Sequence, residues 1–224
     1  MTDGRQVPAE APSPSSDPSS GDVDSWPVAP LDATVALRGL ARTMARLHEG
    51  RLAVPEGVVV EALTVSGVVA RAEGIVAELE GLASDGASVP MTGGAGGAGA
   101  AAEATGSPYG HLDRGRLLDV LKSGAAVVEE RCGGRVVTIG RATVANLVLT
   151  SAIDDATFRV WGDAASADPY RDLAAATASV VSSFGPGAVL GFMDAYAAAR
   201  PAVEPLDLVR LDWWSLAVDL MGRA

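Results

Sequence analysis

The sequence predicts an α+β protein that is mainly α. Three observations carry that prediction. Apolar residues recur at helical spacing through most of the chain from Leu31 onward. β-like runs are confined to short stretches between Arg135 and Trp161. Hydrophobic residues make up 48% of the chain but aromatics only 4%, so the core is built from small side chains, alanine above all, which favours helix.

Taken in order, residues 1–30 are rich in Pro, Ser, Asp and Gly and show no apolar period. Such a segment cannot bury enough surface to offset chain entropy, and it is expected to be a disordered tail. From Leu31 the pattern changes. Val35, Leu40, Met44 and Leu47 lie at helical spacing, with Asp32 placed to cap and Gly50 to stop the helix. Val58 to Leu82 is apolar and ambiguous: Ile75, Val76, Leu79 and Leu82 have helical period, whereas Gly67 and Gly74 oppose it. Residues 84–107 are a Gly/Ala-rich run, expected to be a flexible insertion within a domain spanning 31–224.

Tyr109 to Arg131 carries Leu117, Leu118, Leu121, Ala125 and Val128 on one stripe and is stopped by Gly133-Gly134, which predicts a helix. RVVTI, Asn146–Thr150 and Thr157–Trp161 read as strands, the last two joined as a hairpin through SAIDDA. Helices follow from about Pro169 to Ser183, Pro186 to Ala199 and Pro205 to Met221, each opened by a proline that suits a first turn. In the last, Trp213 and Trp214 point to different sides, so one is expected in the core and one at the surface or an interface. No internal repeat is apparent.

Charge narrows the function. With 17 basic and 28 acidic residues the net charge is −11 and the pI near 4.5, which argues against a nucleic-acid or anionic-membrane surface. The single cysteine, Cys132, excludes an internal disulfide and a CxxC metal knuckle. The first residues lack an apolar signal region and no run approaches the ~18 apolar residues of a membrane span, so a cytoplasmic location is expected. Lysine occurs once, as Lys122, so any chemistry that requires a lysine amine falls on that residue. VPMTGGAGGAG lacks both the Gly-Lys-Ser/Thr ending and the preceding strand of a phosphate loop, and a linker is the better reading.

One constellation has the frame of a catalytic site. Ile139-Gly140-Arg141 is followed after four residues by Asn146, then by a strand ending Arg159-Val160-Trp161-Gly162, then by Asp168, Tyr170, Arg171, Asp172 and Leu173 at a helix start. This order resembles the C-terminal lobe of the aminoglycoside phosphotransferase family, relatives of choline and protein kinases. That family carries His-Gly-Asp-x4-Asn and Ile-Asp-Trp-Gly at these places. LRGLARTMARLHEG resembles the helix that opens the lobe, and Phe184-Gly185 and RLDWWSLA its closing helices. The resemblance implies a protein-kinase-like C-lobe, a helical bundle with a short β-hairpin, with the N-lobe absent.

It also implies how the site departs from its pattern. The family's base aspartate falls on Arg141 and its metal-binding aspartate on Val160. A guanidinium cannot accept the acceptor hydroxyl's proton, and an isopropyl group has no lone pair for Mg²⁺. No catalytic residue, metal ligand or cofactor is therefore expected, and Ile139, Gly140, Arg141, Asn146, Val160, Trp161 and Gly162 are degenerate site positions. Asn146 is expected to bond backbone in its turn rather than a metal. Arg141 is expected to pair with Asp163, Asp168 or another carboxylate in preference to forming a metal-free anion site. Its replacement by Asp should then lower the melting temperature. Asp168, Tyr170, Arg171 and Asp172 are expected to be structural, with Arg171 and Asp172 supplying a cap and a salt bridge at the helix start.

The function that follows is a pseudokinase-like binding or regulatory scaffold. It is expected to take a protein partner, or to self-associate, through the surface left uncovered by the N-lobe. The alternative is an ATP- and Mg-dependent small-molecule kinase completed by a partner lobe or by relocated carboxylates such as Asp155 and Asp163. Neither reading identifies a substrate, because selectivity in such folds resides in variable loops.

Overall fold

The computed structural model describes residues 32–84, 109, 112–149, 156–200 and 205–222. The 1–30 tail, residues 85–107 of the Gly/Ala-rich insertion, His111, the turn of the predicted hairpin and Asp155 lie outside the described residues. The described part is mainly helical, with a small amount of sheet: six helices and five short strands.

Helix α1 (Ala33–His48) starts where Asp32 accepts hydrogen bonds from the N–H of Thr34 (2.8 Å) and Val35 (3.4 Å). Its inner face buries Leu40, Met44 and Leu47 completely or nearly so, each contributing roughly 1.5–3 kcal/mol by leaving water. Strand β1 (Glu61–Ala62) precedes α2 (Val65–Ser84), a helix that forms despite its interior glycines. Helix α3 (Arg114–Arg131) is shorter than its apolar stripe suggested. Asp113 accepts from the Arg116 N–H at 2.8 Å and fixes the start, while Tyr109, ahead of it, turns its hydroxyl to Asp212 at 2.7 Å.

The predicted strands exist, shorter than expected, and the last two pair as the expected hairpin. Strand β2 (Val136–Thr138) runs antiparallel to β5 (Ala165–Ala167), and β1 runs parallel to the other edge of β5, giving the order β1-β5-β2. β1 and β5 were not foreseen. Strand β3 (Leu147–Val148) and β4 (Thr157–Phe158) form the separate hairpin. Asn146 lies not in β3 but at the end of a 3₁₀ turn, Val144–Asn146, just before it.

Helices α4 (Tyr170–Phe184), α5 (Ala188–Ala199) and α6 (Leu208–Gly222) complete the chain. Pro169 is the N-cap of α4, whereas Pro186 and Pro205 lie ahead of α5 and α6 rather than in their first turns. α4 buries every residue from Tyr170 to Ala176, as expected of a helix enclosed on all sides. α1 packs on α5, α4 on both α5 and α6, and α3 lies against α2 and α6.

That placement corrects the reading of the tryptophans. α6 touches α3 as well as α4, so it has two inner faces, and Trp213 (5% exposed) and Trp214 (0%) are both buried, edge to face at 5.1 Å. Trp213 also donates to the Leu121 carbonyl at 2.8 Å. It presses so closely on α3 that a Cβ at Gly124 would lie 2.8 Å from its ring, so only glycine fits there.

Candidate functional site

Residues 139–141 and 160–162 form two turns, with Asn146 between them. Ile139 is fully buried, and Gly140 takes φ +68°, a left-handed conformation that other residues rarely adopt. A Cβ on Gly140 would collide with the Arg171 guanidinium beneath it, so both conformation and space require glycine.

Asn146 is the clamp between the turns. Its Nδ2 donates to the carbonyls of Arg141 (2.9 Å) and Val160 (3.0 Å), and its Oδ1 accepts from the Val160 N–H (2.7 Å). Both amide N–H groups and the carbonyl oxygen are thereby engaged with backbone. This fixes positions 141 and 160 relative to one another.

The side chains at those positions project outward. Val160 is 43% exposed, unusually open for valine. The Arg141 Nε donates to Asp163 Oδ2 at 2.6 Å, and the Arg141 side chain remains 66% exposed. Such an exposed pair contributes at most about 1 kcal/mol, so the stability effect expected for Arg141→Asp becomes small. Trp161 is buried and donates from Nε1 to the Phe158 carbonyl at 2.9 Å, and Gly162 leads into the turn before β5. Among the described residues, no group of three or more His, Cys, Asp or Glu is arranged to hold a metal ion.

The geometry does not fit magnesium chelated against a nucleotide. That ion requires several oxygen ligands in near-octahedral array. Here one position offers a cation, the second a hydrocarbon and the third an amide oxygen already accepting a backbone N–H.

Beneath the turns the polar groups are buried and densely bonded. Asp172 is not a cap of α4. It lies inside the helix and reaches back across 33 residues of sequence to accept from the N–H of Ile139 (3.1 Å) and Gly140 (2.8 Å). Its Oδ2 also accepts from His48 Nε2 at 3.2 Å. His48 Nδ1 lies 2.7 Å from the Tyr196 hydroxyl, and Arg200 donates to that hydroxyl at 3.1 Å. A chain of hydrogen bonds thus runs from α5 through α1 and α4 to the Ile139-Gly140 turn. The signal for it in the sequence was a buried-type position for a histidine in MARLHEG, but its partners are too remote in sequence to be read.

Arg171 does not form the expected salt bridge at the helix start. It is 6% exposed, and its Nη1 donates to the Thr138 hydroxyl (3.1 Å) and the Asp163 carbonyl (2.8 Å). Burial holds its pKa below the usual guanidinium value, opposed by the nearby charges of Asp172 and Asp163.

The capping and ion pairing fall to Asp168. Its Oδ1 accepts from the Tyr170 N–H (2.9 Å) and from Arg210 Nη2 (2.7 Å), and its Oδ2 accepts from Arg210 Nε (3.1 Å). The Arg210 guanidinium also stacks 4.2 Å from the Tyr170 ring centre, and the Tyr170 hydroxyl accepts from the Asp207 N–H at 2.6 Å. Asp168 and Tyr170 therefore join the start of α4 to the start of α6.

Solved structures similar to this one include aminoglycoside phosphotransferases. APH(3'')-Id from Streptomyces rimosus, in complex with ADP and streptomycin, superposes with a TM-score of 0.60 at 20% identity, covering 84% of this chain and 62% of that one. The same protein in a second structure gives 0.59 at 21% identity, covering 84% and 61%. An aminoglycoside-3'-phosphotransferase of type VIII gives 0.54 at 20% identity, covering 86% and 61%. The chain thus spans about three-fifths of the length of the structures it matches. No family model and no curated protein matches the sequence. The fold is that of the kinase-like aminoglycoside phosphotransferases.

Proposed function

We propose that this chain is an aminoglycoside-phosphotransferase-like protein that does not transfer phosphate and serves as a binding or regulatory scaffold. One observation carries the reading. At the two positions where phosphoryl transfer needs carboxylates stand a guanidinium, closed onto Asp163 at 2.6 Å, and the isopropyl group of Val160. Phosphoryl transfer is positioning plus electrostatic stabilisation, and the oriented base and the metal ligands are both central to it. The frame survives without the reacting groups, which suits a molecule kept for its shape.

The scaffold acts through a protein partner or a second copy, on the surface where an N-lobe packs in the family it resembles. The net charge of −11 supports a partner other than nucleic acid or an anionic membrane. No helix among the described residues is long and apolar enough to cross a membrane, which is compatible with action in the cytoplasm. The test is ATP titration of the purified chain, with and without Mg²⁺, followed by calorimetry and by phosphate release with streptomycin as acceptor. No Mg-dependent stabilisation and no turnover are expected. Mg-dependent ATP binding with phosphorylation of an acceptor overturns the proposal.

A second reading, a small-molecule kinase completed by a partner lobe or a relocated carboxylate, rests on Asp163. Its side chain is 32% exposed beside the Val160 turn and could meet a cation if Arg141 swung away. Asp163→Asn would then abolish any turnover observed.

A further inference from the structure

We propose that the face formed by α1 and α5 is a self-complementary docking surface for a second copy of this chain. A half-open groove of about 410 Å³ runs between the two helices, lined by Thr34, Leu37, Arg38, Gly191, Asp194 and Ala195. It lies on helices that carry none of the degenerate positions 139–162, and the proposal is independent of whether that site transfers phosphate.

Charge is the first argument. Arg38 and Asp194 are both exposed, line the same groove and, among the described residues, carry no ion pair with each other or with a third group. An isologous two-fold contact requires that residue i meet residue j of the copy while j meets i. Arg38 and Asp194 satisfy that condition with opposite signs, so one rotation forms two ion pairs from two groups otherwise left in solvent.

Shape is the second argument. Leu190 is 76% exposed, the most open leucine described, and it shares a face of α5 with Asp194 at i, i+4 spacing. Beside it Gly191 and Ala195 leave the groove shallow in side chains, so a leucine from the facing copy has a place to enter. The same surface therefore carries a projection and a recess, as a closed dimer contact needs. A chain at −11 repels its own copies in general, and a patch with paired opposite charges is where that repulsion is locally reversed.

The experiment is sedimentation equilibrium of the full chain over a concentration and salt series, with Arg38→Asp, Asp194→Arg, the double charge swap and Leu190→Glu. The wild type should reach a dimer mass, twice 22.6 kDa, with salt weakening the ion pairs of Arg38 and Asp194 and also the general repulsion between copies, so the charge variants and not the salt series carry the test. Each single reversal juxtaposes like charges twice and should raise the dimer dissociation constant about tenfold or more, as should Leu190→Glu. The double swap should restore wild-type association, which no effect on folding alone would do. A monomer at all concentrations overturns the proposal. So does a dimer unaffected by these substitutions, which would place self-association on another surface.

Discussion

The two polar layers of the site differ in what holds them. In the outer layer, Arg141 and Asp163 bond each other in solvent and Val160 projects an unpartnered methyl pair. In the inner layer, Asp168, Asp172, Arg210 and His48 are almost wholly buried, and each makes at least two polar contacts. Inner carboxylates organise backbone, so losing one threatens the fold. The outer groups hold little backbone and face solvent, so replacing them should leave the fold intact. The two layers should therefore respond differently to substitution.

The largest effect is expected for Arg210→Ala. It strands the Asp168 carboxylate, 2% exposed, without its cation, and breaking a buried pair in this way costs about 3–5 kcal/mol. Urea unfolding would read this as a lower midpoint. Asp172→Ala comes close behind. It leaves the N–H groups of Ile139 and Gly140 and the His48 Nε2 without their acceptor, and an unmet buried donor costs roughly 1–3 kcal/mol. Asp172→Asn keeps one acceptor oxygen and should recover part of that loss.

Gly140→Ala should cost about 1–3 kcal/mol for its backbone conformation, with a further penalty from displacing Arg171. Alkaline pH offers a gentler probe. Burial raises the pKa of Tyr109, Tyr170 and Tyr196 above the ordinary tyrosine value of 10.0. A raised folded-state pKa contributes stability that is complete below pH 10 and is lost as pH climbs through the folded values. Unfolding free energy should therefore fall on the alkaline side, as tyrosinate absorbance appears, and Tyr196→Phe should blunt the fall. The smallest effect is expected for Arg141→Ala, under about 1 kcal/mol because the pair is exposed. If this variant melts as low as Arg210→Ala, the distinction between layers fails.

What could be read in advance follows from the range of the interactions. α1 and α3 to α6 are announced by local signals: Asp32 at its cap, the Leu117, Leu121 and Val128 stripe, and the alanines of α4. β1 and β5 were missed because Glu61–Ala62 and Ala165–Ala167 contain no β-branched or aromatic residue; they are strands only because each has a partner. That Arg141 and Val160 stand in neighbouring turns could be read in advance, because glycine turns and a following asparagine are local patterns. The Asp172 and Asp168 contacts could not, since they reach to Ile139 and to Arg210, on other elements. Both tryptophans of α6 are buried because a helix with two neighbours has two inner faces, a property of the assembly and not of the segment.

The complete enclosure of the first two turns of α4 also bears on how the molecule opens. Its amide protons should exchange with deuterated solvent only through global unfolding, because no sub-global opening uncovers Tyr170 to Ala176 without parting α5 and α6 from it. The β3–β4 hairpin, a ladder of only two residue pairs, should exchange through far cheaper local fluctuations. The slowest-exchanging hydrogens would then trace a single central rod around which the remaining helices come and go.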